Sequence, residues 1–144
     1  MSLISLTNQQ LAVSLQYPDP TPLGSSVSIN EKVTAVSYRI HLISDASNEV
    51  YFEVGYYPTL SLAEAMTHFK QELVAQTQEV VIGEAVDIMF GAYAGCRFSV
   101  RWPEKKRVIT FFVRDGATYR VIYNTASPLN GQILATLAFM DVGA

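Results

Sequence analysis

From Arg107 the chain reads Arg-Val-Ile-Thr-Phe-Phe-Val-Arg, turns at Asp115-Gly116 and returns through Ala-Thr-Tyr-Arg-Val-Ile-Tyr. An Asp-Gly pair between two runs of β-branched and aromatic residues is a strong hairpin signal, because both central positions of a type I′ turn need positive φ. A two-residue turn also sets the register: Phe112 then faces Tyr119, and Phe111 faces Arg120. Large apolar groups stand on both sides of such a pair. One side is therefore expected under a helix, and the other partly covered or available as a contact surface.

The neighbouring segments extend the same antiparallel pattern. Gly91 and Gly95 allow tight backbone around Tyr93, after which Cys96, Phe98, Val100 and Trp102 alternate with Arg97, Ser99 and Arg101. Pro103-Glu104-Lys105-Lys106 makes the return into the Arg107 strand. After the Tyr119 strand, Ser127-Pro128 supplies an N-cap and an N1 proline, and Leu129, Ile133 and Leu137 predict a short amphipathic helix. Phe139 and Met140 close the chain as a short strand or a packing tail.

The first half repeats the theme less densely. Leu11, Val13, Leu15 and Tyr17 alternate with polar or small residues over Gln9 to Tyr17, and Pro18, Pro20 and Pro22 stop that strand. Leu23 to Lys32 reads as a loop, with turn chemistry at Gly24-Ser25-Ser26 and no sustained apolar period. Val36, Tyr38, Ile40 and Leu42 then form one face of a hairpin with Val50, Phe52, Val54 and Tyr56, turning at Asp45-Ala46-Ser47-Asn48. Its wet face sets Arg39 near Glu53, a pair worth roughly 0.2 to 1 kcal/mol if solvated. Ser61-Leu62-Ala63-Glu64 has capping-box spacing and opens a helix over 61 to 76, with Leu62, Met66, Phe69 and Leu73 along its buried side. Gly83 separates that region from a strand over Glu84 to Phe90.

Nothing in the 144 residues marks a linker, repeat or low-complexity segment, so residues 1 to 144 read as a single domain. A chain 49% hydrophobic with eight Tyr and seven Phe can fill one core without metal or disulfide support, and Cys96, the sole cysteine, permits no intrachain disulfide. The apolar runs are too short and too interrupted by charge for a transmembrane helix. The N-terminal Met1 to Thr7 stretch lacks a basic region and a continuous apolar core, which favours the cytoplasm over export.

Net charge is −3, no footprint for nonspecific nucleic-acid binding. The average hides an asymmetry. Arg97, Arg101, Lys105, Lys106, Arg107, Arg114 and Arg120 stand against only Glu104 and Asp115, a local balance of +5. Either the strands expose these side chains or pair them with acids elsewhere, or they form a patch for an anionic partner.

The order of elements, the phrase Gly91-Ala92-Tyr93-Ala94-Gly95 leading into Arg97-Phe98-Ser99-Val100, and Ala117 to Tyr123 before a Ser-Pro-Leu helix resemble the PsbP-like superfamily, including its DcrB-like bacterial branch. The resemblance spans roughly Leu11 to Met140. It implies an α+β fold, an antiparallel β-sheet flanked by two main helices as an α/β sandwich, and a noncatalytic role. Members of this superfamily include extrinsic photosystem subunits, Ran-binding import factors, small bacterial lipoproteins and adaptor chaperones that accompany type VI secretion effectors. The family has no common catalytic residue to carry over, and a lipoprotein anchor finds no match in Cys96, which lies well inside the domain. The proline-rich Asp19 to Pro22 stretch departs from the family pattern.

Two function classes follow. The first is a noncatalytic protein-binding or adaptor module of bacterial type, such as a secretion-effector-associated chaperone, with Arg97, Arg101, Trp102, Arg107 and Arg120 as partner-binding residues; aromatic and Arg side chains are the usual interface anchors. Its partner would be another protein with an acidic surface, and a homodimer could use the same face. The second is a small-ligand-binding protein or enzyme with a pocket between helix 61–76 and the sheet, drawing on His41, Tyr51 and Glu53. His41 and His68 have no His, Cys, Asp or Glu at metal-ligand spacing, and no nucleophile elbow, P-loop or dinucleotide fingerprint occurs. No metal, cofactor or catalytic residue is expected.

Overall fold

The computed structural model describes residues 2–45, 49–76 and 79–140. The elements, in order, are β1 (Leu3–Asn8), β2 (Val13–Pro18), β3 (Val27–Val33), β4 (Tyr38–Ser44), β5 (Tyr51–Tyr57), α1 (Leu62–Gln76), β6 (Val81–Ile82), β7 (Val86–Phe90), β8 (Tyr93–Trp102), β9 (Lys105–Arg114), β10 (Ala117–Asn124), α2 (Pro128–Thr136) and β11 (Ala138–Phe139). Among the described residues the main sheet has the order β3-β4-β5-β10-β9-β8-β6, with β7 also on β8, and a second, three-stranded sheet has the order β1-β2-β11. All strand pairs are antiparallel.

The hairpin that dominates the sequence folds as its turn dictates. Asp115 (φ 50°) and Gly116 (φ 81°) both take positive φ, Phe112 pairs with Tyr119, and Phe111 pairs with Arg120. Pro103 and Glu104 make a second two-residue turn, so Trp102 pairs with Lys105 and Arg101 with Lys106. That register is tighter than the four-residue return expected from sequence, and it starts β9 at Lys105.

Period-two alternation then sorts side chains onto two faces. On one, α1 packs Ala65, Phe69 and Leu73 against Phe98, Ile109 and Phe111. On the other, Val13 and Leu15 of β2 and Leu129 and Ile133 of α2 pack against residues such as Phe52, Val54 and Phe112 of the sheet. The molecule is thus mostly antiparallel β-sheet with two helices, and the second face carries a small sheet together with the short α2.

Both helix starts obey their local signals. Ser61 Oγ accepts from Glu64 N at 3.2 Å while Glu64 Oε1 accepts from Ser61 N at 3.0 Å, the reciprocal arrangement of a capping box. Ser127 caps α2 by accepting from Leu129 N, with Pro128 as first helical residue.

The expected Leu23 to Lys32 loop holds only as far as Ser26 and is overturned beyond it, because β3 pairs with β4 over seven residues from Val27 to Val33. As an edge strand it is exposed for most of its length and needs no apolar alternation, so its backbone pairing leaves no hydrophobic signature. β1, equally exposed, leaves none either. Residues 46–48 of the expected Asp45–Asn48 turn lie outside the described residues.

Candidate functional site

On the α1 face, the polar side chains of β4, β5, β9 and β10 converge beneath the last turns of α1 around a cavity of about 160 Å³. The register explains the convergence. His41 pairs with Glu53, Glu53 with Ile122, and Arg39, Gly55 and Arg120 form one row across three strands. Gly55 leaves that row open, since a Cβ there would meet Arg39 Cβ at 2.7 Å and Tyr38 O at 3.0 Å. With no side chain between them, both guanidinium groups reach Glu53.

Glu53 is the hub of the floor. It is 3% exposed, hydrogen-bonded to Arg120 Nε at 2.8 Å, in contact with His41 Nε2, and 3.6 Å from Arg39 Nε. Burial alone would raise its carboxyl; the Arg120 charge, the His41 hydrogen bond and Arg39 outweigh burial and hold it at about 2. A carboxylate held so firmly is a fixed negative charge and a poor proton acceptor. Arg120, itself 3% exposed, also donates to Tyr57 Oη at 2.6 Å and lies over the Tyr57 and Phe69 rings.

The mouth has the opposite character. Arg107 stacks on Tyr51 with its guanidinium carbon 3.6 Å from the ring centroid and 5.2 Å from that of Trp102, and Lys105 Nζ sits 4.8 Å from the Trp102 ring. Neither Lys105 nor Arg107 forms an ion pair with any described residue. Burial and the neighbouring Arg107 lower the Lys105 pKa against the smaller opposing pull of Glu104. Burial, then Glu53, raises the Tyr51 phenol, with the arginines opposing, so Tyr51 remains a neutral donor. Arg39 Nε is buried and makes no hydrogen bond. Three arginines and Lys105 line the cavity against the carboxylates Glu53 and Glu72.

The sequence-derived site residues divide between the two faces. Trp102, Arg107 and Arg120 meet at the cavity, Arg120 as a buried part of its floor. Arg97 lies on the opposite face, its Nε donating to Thr110 Oγ1 at 3.3 Å, and Arg101 is exposed beside the β8–β9 turn. Arg114, the other buried arginine, is far from the cavity: it donates to the Tyr93 and Tyr119 hydroxyls and to backbone carbonyls of Ala12 and Met140. The basic residues between Arg97 and Arg120 therefore do not form one patch: Arg97 and Arg114 stand apart from those at the cavity and the β8–β9 turn.

His41, Tyr51 and Glu53 do come together under helix α1, where sequence placed a pocket. The expectation of a solvated Arg39–Glu53 pair is corrected, because α1 roofs that face and Glu53 is buried. Sequence reasoning missed Lys105 and Asn130. Lys105 stands in phase with Arg107, Ile109 and Phe111, a signal available once the turn is known to have two residues. Asn130 of α2 is fully buried; it accepts from Tyr51 N at 2.9 Å and donates to Asn124 O at 2.8 Å, tying the start of β5 to the end of β10 behind the cavity. Cys96 is buried, with Sγ 3.1 Å from Met66 Sδ, and burial raises its thiol pKa.

An antiparallel sheet with two helices in this order defines a PsbP-like α+β fold. The solution structure of cyanobacterial PsbP (CyanoP) from Synechocystis sp. PCC 6803 superimposes with a TM-score of 0.66, covering 96% of this chain and 92% of that one at 10% sequence identity. That likeness is one of fold alone. A crystal structure from Bacteroides thetaiotaomicron VPI-5482 aligns at a TM-score of 0.48 and 12% identity over 100% of this chain and 51% of that one, too low to bear on the fold. No protein-family model matches the chain, and comparison with curated proteins gives no match.

Proposed function

We propose that the protein is a noncatalytic binding module that holds an anionic group in the cavity beneath α1. One observation carries the reading: Lys105 and Arg107 are stacked on aromatic rings at the mouth with no described ion-pair partner, while the only carboxylate on the floor is already engaged by Arg120, Arg39 and His41. Two adjacent cations that repel one another gain most from a shared anion, and the low dielectric of a partly enclosed site strengthens that gain. At about 160 Å³ the cavity suits a single functional group; pockets for drug-sized molecules start at about 300 Å³.

Glutarate tests the reading. Titrated at low salt, it should shift the Trp102 indole and His41 ring resonances, lose binding at about 0.5 M salt, and bind about tenfold more weakly to Arg107→Gln. No glutarate-dependent shift at either ring in the native protein would end the proposal.

An enzymatic reading starts from the His41–Glu53 contact, which could orient an imidazole for proton transfer. The described residues lining the cavity include no serine, threonine or cysteine to act with it, and binding is the better account. The DcrB-like branch, and within it an adaptor that accompanies a secretion effector, is one setting for such a module. An effector-like gene beside this one would support that setting, and a biosynthetic operon would favour a small-molecule ligand.

A further inference from the structure

The cavity does not end at its mouth. A shallow groove wraps the tip of the β8–β9 turn and shares Trp102 and Lys105 with the cavity, continuing past Lys106 and Arg101 to the backbone after Asn124. The two-residue turn is what joins them: by pairing Trp102 with Lys105 and Arg101 with Lys106, it puts an aromatic and three cations on both sides of one narrow tip. Among the described residues, Glu104 is the only acid along the groove. Arg101, Lys105 and Lys106 are exposed, on a chain whose net charge is −3.

A free small anion would be satisfied inside the cavity and would make no use of the second pair of cations. An extended chain carrying several carboxylates would use both. We propose that the occupant is an acidic peptide segment of a partner protein, one carboxylate entering the cavity between Arg107 and Lys105 and the following acidic residues lying over the Trp102–Lys106 tip. This rests on the reading of the cavity as an anion site and adds the class of partner. Trp102 supplies the apolar contact that a peptide backbone or β-carbon can cover, and aromatic and Arg residues are the types that dominate such contacts. Complementary charge along the groove steers the encounter and sets its salt dependence.

The experiment compares glutarate with a fluorescein-labelled oligoglutamate peptide at about 0.15 M salt, where charges more than about 8 Å apart are largely screened. The peptide should bind the native protein at least roughly tenfold more tightly than glutarate. The double variant Arg101→Gln, Lys106→Gln, altered only in the groove, should bring the peptide down to glutarate's affinity and leave glutarate itself within about twofold of the native value. Arg107→Gln should weaken both ligands.

If glutarate binds but the peptide binds no better, or the groove variant weakens both equally, the peptide inference fails and the anion site stands. Peptide binding that ignores Arg107→Gln while glutarate binding depends on it also sinks the peptide inference alone; should neither ligand bind, the anion site fails with it. An oligothymidylate of equal charge that competes as well as the peptide would show attraction to any polyanion and would overturn the inference.

Discussion

The two faces of the main sheet are built on different principles although they share every strand. On the face toward β2 and α2, Phe112 stacks on Phe90 at 4.5 Å between centroids, with Tyr119 at 5.5 Å and Phe139 at 5.4 Å, and the buried Arg114 is satisfied by tyrosine hydroxyls and carbonyls, with the exposed Asp115 3.9 Å from its Nε. On the α1 face, half of the sheet is equally dry, around Phe98 and Phe111, while the other half buries Glu53 and Arg120 with two more bases around them. Buried ion pairs contribute little net stability compared with apolar packing of the same volume, because desolvation offsets their attraction. A cluster kept at that cost defines a charged floor for something else to meet. The aromatic face needs no such account: it encloses, and the α1 face receives.

The aromatic face is most sensitive at Phe112. Phe112→Ala removes the ring at the centre of the aromatic stack and should cost about 3 to 5 kcal/mol in chemical denaturation, with glutarate affinity unchanged in the folded fraction. A loss below about 1 kcal/mol would mean that the stack contributes little to the core.

Next in size is the floor. Arg120→Met leaves Glu53 buried with weaker partners and should cost about 3 kcal/mol, whereas adding Glu53→Leu should recover most of that loss while leaving the cavity unable to bind glutarate as before. Full additivity of the two substitutions would show that the pair is not coupled, contrary to the 2.8 Å contact.

The α1 face also carries an acid limb of stability, set by one buried carboxyl. The Glu53 carboxyl sits below its usual 4.5, at about 2, so its contribution is complete above about pH 4.5 and is lost as pH falls toward 2, up to roughly 3 kcal/mol. Denaturation midpoints measured between those limits should fall steeply in the native protein and less steeply in Glu53→Gln. Parallel slopes would assign the acid sensitivity to other groups.

Much of this architecture was legible in the chain. Asp115-Gly116 specified its hairpin register to the residue, Ser61-Glu64 and Ser127-Pro128 placed two helix starts, and Cys96-Phe98-Val100 declared an inward face. These signals are local, set by φ preference, first-turn hydrogen bonding and period two. β1 and β3 were illegible because edge strands joined by backbone bonds leave their side chains free to be polar. The cavity was half legible: His41, Tyr51 and Glu53 could be grouped on one hairpin face, but nothing near them announced Lys105, Arg107 or Arg120 as neighbours.

The sequence by itself therefore determined the alternation of faces, the turns and the caps, each set within a few residues. Whether Arg39 and Glu53 meet water or a buried arginine depended on β10 inserting beside β5, sixty-odd residues later in the chain, and on α1 closing over them. Charge acquires its energetic meaning from the dielectric around it, and that dielectric exists only after distant segments have packed. The same glutamate that would be an ordinary surface carboxylate on an isolated hairpin becomes a fixed anion under a ring of bases.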